Sequence, residues 1–114
     1  MNAVGIDVSK GKSTVAVLRP FGEVVAFPFD VIHNDNDLKR LVKLIRSLPG
    51  ESKVVMEYTG TYFEPIAQFL HINGIFVSVV NALLVHDYGG NSLRKVKTDK
   101  KDALKLASYA LDRW

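Results

Sequence analysis

The first 29 residues contain three apolar segments separated by two very short links. Residues 3–8, 13–19 and 23–29 each have the length and composition of a β-strand, and Pro20, Phe21 and Gly22 form a turn signal before the third. Strands joined by such short links usually pair in antiparallel order. This part of the chain therefore predicts a three-stranded meander.

The rest of the chain alternates between helical and strand-like patterns. Helices are predicted over residues 36–47 and 62–72, and buried strands over residues 53–57 and 75–80. A short helix from Asn81 to about residue 85 and a last helix from near Thr98 complete the order. Helix crossovers return the chain in the same direction, so the later strands should run parallel to the first. The sequence thus predicts one α/β domain over residues 1–114, with a mixed five-stranded sheet (three antiparallel strands, then two parallel) and helices on both faces.

Several residues mark where these elements begin and end. Asn34 or Asp35 is suited to cap the first predicted helix, and the Pro-Gly pair at positions 49–50 ends it. The Asn-Gly pair at positions 73–74 is typical of a left-handed closure of the second helix. Residues 89–92 (Gly-Gly-Asn-Ser) predict a loop before the last helix.

Composition excludes several classes of protein. The 114 residues include no cysteine, which rules out disulfides, thiolate zinc sites and cysteine nucleophiles. No apolar run approaches the ~20 residues of a membrane span, and no signal peptide opens the sequence. From these features we expect a cytoplasmic protein.

Positive charge is concentrated near the carboxyl end of the sequence. The net charge is +3, but residues 93–114 hold seven Lys or Arg against three acidic residues. A local basic run favours a polyanionic partner such as nucleic acid. A solvated helix face explains the same pattern, and charge alone does not separate the two interpretations.

Two carboxylates occupy unusual positions in predicted strands. Asp7 lies in an apolar strand and shares its face with Ala3 and Gly5, which are small enough for another element to approach. A buried carboxylate is costly without a cation or a proton. Glu57 ends the apolar strand 53–57. Ligands collect at the carboxyl ends of strands in open α/β sheets, so Asp7 and Glu57 should lie side by side there if their strands are parallel neighbours.

Two further carboxylates stand three residues apart at the start of the last helix and therefore share one helical face. The apolar stripe of that helix includes Ala103 and Leu106, and a step back of four residues from each reaches Asp99 and Asp102. The two acids thus extend the stripe that we expect to be buried. Acidic residues at a helix N-terminus are also favoured by the helix dipole, and this structural explanation stays open.

The four carboxylates together indicate a site for hard divalent cations. Taken singly, Asp7 is explained as a turn residue and Glu57 as part of an edge salt bridge. Mg²⁺ prefers oxygen ligands, and two such ions about 3.5–4 Å apart activate a nucleophile and stabilise the leaving oxygen of a phosphodiester. We predict Mg²⁺, with Mn²⁺ as a substitute, bound by catalytic ligands Asp7, Glu57, Asp99 and Asp102.

Four segments carry a resemblance to a known family: GIDVSK, MEYTGTYFEPIAQFL, VVNALLVHDYG and SLRKVKTDKKDALKLA. Together they resemble the N-terminal domain of the DEDD transposases, insertion-sequence recombinases with a domain similar to the RuvC Holliday-junction resolvase and a ribonuclease-H-like fold. The resemblance covers nearly the whole chain and rests on the motifs ExTGxY and KTDxxDA in this order. The acidic tetrad of the family falls on Asp7, Glu57, Asp99 and Asp102.

The resemblance implies Mg²⁺-dependent cleavage and exchange of DNA strands, guided by a bridge RNA and carried out by a homo-oligomer (a dimer or tetramer). The full-length proteins of the family have a second, C-terminal domain bearing a serine nucleophile, which this chain does not contain. None of the seven serines here has a base near it that would mark it as a substitute. We therefore expect the chain to bind metal and nucleic acid but not to exchange strands alone.

Nine residues are predicted to contact a nucleic-acid backbone. Two lysines follow Asp7, two hydroxyl-bearing residues follow Glu57, and five basic residues surround the acidic pair of the last helix. Solvation of loop lysines and helix capping by threonine explain some of them equally well. The set comprises Lys10, Lys12, Thr59, Tyr62, Arg94, Lys95, Lys97, Lys100 and Lys101.

Two alternatives from other functional classes stay open. The opening hairpin also resembles that of actin-like sugar kinases and ATPases, in which it holds ATP phosphates. That alternative requires a second phosphate loop and gives no role to the acids of the last helix. The other alternative is a non-catalytic scaffold that binds RNA or DNA through the basic run and oligomerises. A scaffold does not need the carboxylates, so alanine at Asp7 or Asp102 would leave its nucleic-acid binding intact.

Overall fold

A computed structural model describes residues 1–58, 64–81 and 99–113 of the chain. Its strands form one five-stranded sheet in the order β3-β2-β1-β4-β5, which confirms the predicted mixed sheet. Strand β4 pairs with β1 in parallel, and β5 pairs with β4 in parallel. Strand β2 is antiparallel to both β1 and β3. The strands are β1 (Asn2–Ser9), β2 (Lys12–Arg19), β3 (Glu23–Ile32), β4 (Ser52–Tyr58) and β5 (Val77–Asn81).

The antiparallel meander is longer than its sequence pattern suggests. The β1–β2 link turns at Gly11, whose φ of 79° is a left-handed conformation that glycine adopts without strain. The β2–β3 link is a short 3₁₀ turn over Pro20–Gly22. Strand β3 continues to Ile32 instead of ending at residue 29, because Val31 and Ile32 still pair with Ser13 and Lys12.

Three helices lie in the described ranges: α1 (Asp35–Ser47), α2 (Glu64–Ile72) and α3 (Asp99–Arg113). Asn34 caps α1, since its side-chain oxygen accepts a hydrogen bond of 2.8 Å from the Asp37 amide. Pro65 falls in the first turn of α2, as its missing N–H requires. No helix among these residues is long and apolar enough to cross a membrane.

Local sequence signals predict the end of α2 correctly but place the start of β5 too early. Gly74 has φ +79°, which confirms the predicted left-handed closure after α2. The predicted start of α2 at Tyr62 lies outside the described residues. Strand β5 begins at Val77, two residues later than expected, and its residues 77–80 are half-buried. Val77 packs against the apolar cluster that includes Leu70, and Val80 packs against the cluster that includes Leu106, so both faces of this edge strand are partly covered.

The predicted short helix after Asn81 and the loop over residues 89–92 lie outside the described residues. Asn81 itself belongs to the end of β5, where it pairs with Tyr58 of β4. The last helix begins at Asp99, one residue after the predicted position.

The sheet has a different covering on each face, because successive side chains of a strand point to opposite sides. Val4 and Ile6 of β1 belong to a large apolar core together with buried residues of α1 and α2, such as Leu41 and Leu70. The opposite face carries a smaller cluster formed by Ala3, Val55, Leu106 and Ala110. Helices α1 and α2 therefore cover one face and α3 covers the other, which confirms the predicted layers.

Candidate metal and nucleic-acid site

Asp7 and Glu57 are direct neighbours on adjacent strands. The parallel pairing of β1 with β4 places Asp7 opposite Glu57, and neighbouring strands in a sheet lie about 4.8 Å apart. Both residues are buried, with 8% and 4% of their surface exposed. The predicted adjacency of these two carboxylates is thus confirmed.

The two carboxylates lie on the face of the sheet that α3 covers. Asp7 is two residues from Gly5 and four from Ala3, so all three share a face of β1. A Cβ atom added at Gly5 would lie 2.3 Å from the carbonyl oxygen of Ala103 and 2.4 Å from the amide nitrogen of Ala107. The backbone of α3 therefore packs directly on β1, and the small residue at position 5 permits it.

The contacts along β1 also fix the direction of α3. Ala3 clusters with Leu106 and Ala110, whereas Gly5 lies against the earlier residue Ala103. The helix therefore runs antiparallel to β1, and its first turn lies towards the end of β1 that bears Asp7.

Helix and strand dimensions place the acidic pair at this end. Asp99 precedes Ala103 by four residues, a rise of about 6 Å along a helix. Asp7 follows Gly5 by two residues, a rise of about 7 Å along a strand. The backbone of α3 at positions 99–102 therefore starts at the edge of the sheet where Asp7 and Glu57 lie. The side chains of Asp99 and Asp102 lie outside those described, and their convergence on Asp7 stays a prediction.

The donor set of the strand pair suits a hard divalent cation. Two carboxylates in register present oxygen ligands on one side of the sheet, which is the ligand chemistry that Mg²⁺ prefers. Among the described side chains, no group of three or more His, Asp or Glu is close enough to bind a metal. The two strand carboxylates therefore account for only two of the four predicted ligands.

Glu57 and Asp7 begin a row of paired residues that crosses the sheet and ends at Asp30. We call it the acidic row, and the sequence pattern did not indicate Asp30 as a member. Asp7 pairs with Thr14 on β2, and Thr14 pairs with Asp30 on β3. The Thr14 hydroxyl is buried and donates a hydrogen bond of 3.0 Å to Oδ1 of Asp30. The sequence pattern predicts the end of β3 at residue 29, one residue before Asp30, and so gives no signal for this carboxylate.

Lys12, a predicted nucleic-acid contact, is held at the same edge. Its Nζ lies 3.7 Å from Oδ2 of Asp30, in an ion pair whose side chains are 45% and 51% exposed. An exposed pair of this kind contributes little stability. Lys10 is exposed in the turn that follows β1. Both lysines therefore flank the carboxyl end of β1.

The other predicted nucleic-acid contacts cannot be placed in the same way. Lys100 and Lys101 belong to the first turn of α3, and their side chains are outside those described. The remaining residues lie outside the described parts of the chain altogether: Thr59, Tyr62, Arg94, Lys95 and Lys97. Their contacts with nucleic acid stay predictions.

One serine does have a base beside it, contrary to the sequence interpretation. Oγ of Ser13 lies 2.7 Å from Nε2 of His33, a pairing between residues 20 positions apart. Burial lowers the pKa of His33 and favours its neutral form. Ser13 is fully buried and shares its strand face with Val15, on the α1 side of the sheet. This hydrogen bond therefore joins β2 to the end of β3 and gives Ser13 no access to a substrate.

The order of the sheet and its two helical layers define a ribonuclease-H-like fold of the RuvC type. RuvC from Thermus thermophilus superposes with a TM-score of 0.60 over 94% of this chain and 90% of its own, at 14% sequence identity. The structure of Thermus thermophilus RuvC in complex with a Holliday junction substrate gives the same TM-score at 13% identity, with the same coverage.

Sequence comparison gives the family. The family model of DEDD transposases of the IS110 type, described as "Transposase", matches residues 4–114. The chain belongs to this transposase family. Pilin gene-inverting proteins of Moraxella bovis and Moraxella lacunata are 41% and 39% identical over 56 residues, which is 49% of this chain. The match spans 17% of the length of either relative.

Proposed function

We propose that this chain is the metal-binding domain of a DNA transposase that cleaves and exchanges phosphodiester strands. The observation that carries the proposal is the in-register burial of Asp7 and Glu57 beneath the start of α3. In the proposal, Asp99 and Asp102 complete a tetrad that holds Mg²⁺, or Mn²⁺ in its place. The family match favours this function over that of a sugar kinase or ATPase.

The residues of the chain have separate tasks in this proposal. The four carboxylates bind the cations and fix their position relative to a phosphodiester. When bound, the cations supply Lewis-acid stabilisation of the oxygens that attack and leave phosphorus. Lys10 and Lys12 flank the same edge of the sheet and contact the phosphate backbone of the substrate. The direct packing of α3 on Gly5 keeps the two halves of the tetrad in a fixed relation.

The proposed partners are DNA, a guide RNA and further copies of the chain. The DNA partner is supported by the transposase family and by the fold shared with RuvC, which has been solved with a Holliday junction substrate. The bridge RNA, the dimer or tetramer, and the serine-bearing C-terminal domain rest on the resemblance to DEDD transposases. Strand exchange is therefore proposed for the whole protein, and metal and nucleic-acid binding for this chain.

Calorimetric titration with Mg²⁺ and Mn²⁺, together with thermal melting, tests the proposal. Wild-type chain should bind the cation weakly but saturably, and its melting temperature should rise with cation concentration, because a ligand that binds the folded state stabilises it. Asp7→Asn keeps the size of the side chain and should abolish both responses. Asp35→Asn, an exposed acid at the start of α1, is the matched control and should respond like wild type.

The quantity to compare between wild type and Asp7→Asn is the change in melting temperature that the added cation causes in each protein. Removal of a buried charge changes the stability of the metal-free fold whether or not the site binds a cation, so the melting temperature of Asp7→Asn in EDTA decides nothing. A wild-type response that survives in Asp7→Asn would contradict the metal site. The non-catalytic scaffold would then be the better description of this chain.

A further inference from the structure

A row of three cations follows one side of α1, on the face of the sheet opposite to Asp7 and Glu57. Lys39, Lys43 and Arg46 are spaced at i, i+4 and i+7, which places them on a single helical stripe. Helix α1 buries Leu41 and Ile45 in the core, and the basic stripe lies beside this apolar face. None of the three cations forms an ion pair with a described residue.

The basic stripe forms one wall of a groove between α1 and α2. The groove encloses about 250 Å³, and no acidic residue lines it in the described parts of the chain. Its apolar floor includes Val42 and the half-buried Phe69. The Arg46 guanidinium donates to the carbonyl oxygen of Asn73, just beyond the end of α2. The lining comprises Lys39, Val42, Lys43, Arg46, Phe69 and Asn73.

Arg40, the fourth cation of α1, lies among acidic residues, unlike the other three. Arg40 lies 3.8 Å from Asp37, one turn earlier, and borders a separate cavity between α1 and β3 that also contains Asp30 and Asp37. Acidic residues therefore lie close to Arg40, whereas the described lining of the α1–α2 groove contains three cations and no acidic residue.

We propose that the α1–α2 groove binds the phosphodiester backbone of a single-stranded nucleic-acid segment. The stripe from Lys39 to Arg46 rises about 10 Å along the helix axis, so its three cations lie far enough apart to meet successive phosphates of one strand. A concave groove admits a strand, whereas a bilayer presents a flat surface to it. The groove needs no metal and lies across the sheet from the carboxylates, so this inference does not depend on the proposed metal site.

The test measures binding of fluorescein-labelled 20-nucleotide single-stranded RNA and DNA by anisotropy, with EDTA present to remove any cation bridge. Salt is varied from 50 to 300 mM. The variants are the triple change Lys39→Gln/Lys43→Gln/Arg46→Gln and the double change Lys39→Gln/Lys43→Gln, which keeps the Arg46 contact to α2. Glutamine has nearly the helix propensity of Lys and Arg, so α1 should persist. Arg19→Gln/Arg40→Gln is the control, because it removes two cations that lie outside the groove.

The triple variant should bind at least tenfold more weakly and lose about two units of slope in the logarithmic salt plot, since each phosphate contact contributes about 0.7 for a single strand. The double variant should lose about two-thirds as much slope, because it removes two of the three contacts, and the control should match wild type. An equal loss of affinity in the control and the double variant would overturn the proposal. Undiminished binding by the triple variant, or an absence of binding by wild type, would also overturn it. Groove-dependent binding to vesicles of phosphatidylcholine and phosphatidylglycerol, without binding to either oligonucleotide, would overturn it in favour of a membrane surface.

Discussion

The backbone of β1 at Gly5 is in direct contact with the backbone of α3 at Ala103. A Cβ at position 5 would lie 2.3 Å from the Ala103 carbonyl oxygen, closer than real contacts allow. Backbone atoms of a packed helix cannot rotate away as a side chain can. This contact therefore sets the distance between α3 and the strand that bears Asp7.

Gly5→Ala should destabilise the fold because α3 has to move away from the sheet. Overpacking of this kind costs about 1–3 kcal/mol, and backbone atoms on the other side favour the upper end of that range. Urea denaturation measures the loss. Gly11→Ala is a useful control, because the added methyl group has open space and the cost comes from the positive φ alone. That cost should be about 1–2 kcal/mol. Unchanged stability of Gly5→Ala would show that the close approach does not exist in solution.

Thr14→Val should cost about 0.5–1.5 kcal/mol, the usual net contribution of one hydrogen bond. The valine keeps the shape of the buried side chain but cannot donate to Asp30, whose carboxylate is half exposed and can turn to water. Thr14→Ser retains the donor but leaves a small cavity, so its destabilisation has a different origin. The double change Thr14→Val/Asp30→Ala isolates the hydrogen bond, because each single change removes one partner. If the costs of Thr14→Val and Asp30→Ala simply add, the hydrogen bond makes no contribution.

His33 should make the fold less stable in mild acid. Burial lowers its folded-state pKa below the ordinary value of 6.5, so the unfolded chain binds a proton more readily than the folded chain. Stability from this residue is complete above the unfolded pKa and is lost as the pH falls from 6.5 through the lowered value. Denaturation at pH 7.5 and pH 5 measures the difference.

His33→Gln is the matched variant for this pH dependence, because glutamine does not titrate and can still hydrogen-bond to Ser13. Other titrating groups are common to both proteins and cancel in the comparison. Wild type should lose more stability than His33→Gln between pH 7.5 and pH 5. Parallel losses in the two proteins would show that His33 is as easily protonated in the folded state as in the unfolded state.

Part of the site could be predicted from sequence because its determinants are local. The helical segments between β1 and β5 require crossovers, and parallel strands bring their carboxyl ends to one edge. Asp7 and Glu57 therefore come together without any knowledge of side-chain packing. The small residues Ala3 and Gly5 likewise indicated the face on which another element packs, which α3 occupies.

The features that sequence did not predict depend on register and long-range contacts. Asp30 joins the acidic row only through the β2–β3 register, which shifts at irregularities between Val15 and Leu18. Ser13 meets His33 across the same hairpin, and no local pattern links residues 20 positions apart. The partial exposure of β5 follows from its place at the sheet edge, which an apolar run alone does not specify.

The most direct test asks whether the start of α3 and the strand carboxylates form one cation site. Electron paramagnetic resonance of Mn²⁺ measures free and bound ion in wild-type chain, Asp102→Asn and Asp112→Asn, the last a control near the far end of the same helix. We predict that Asp102→Asn weakens Mn²⁺ binding at least tenfold, while Asp112→Asn binds like wild type. Equal Mn²⁺ affinity in wild type and Asp102→Asn would contradict a shared site.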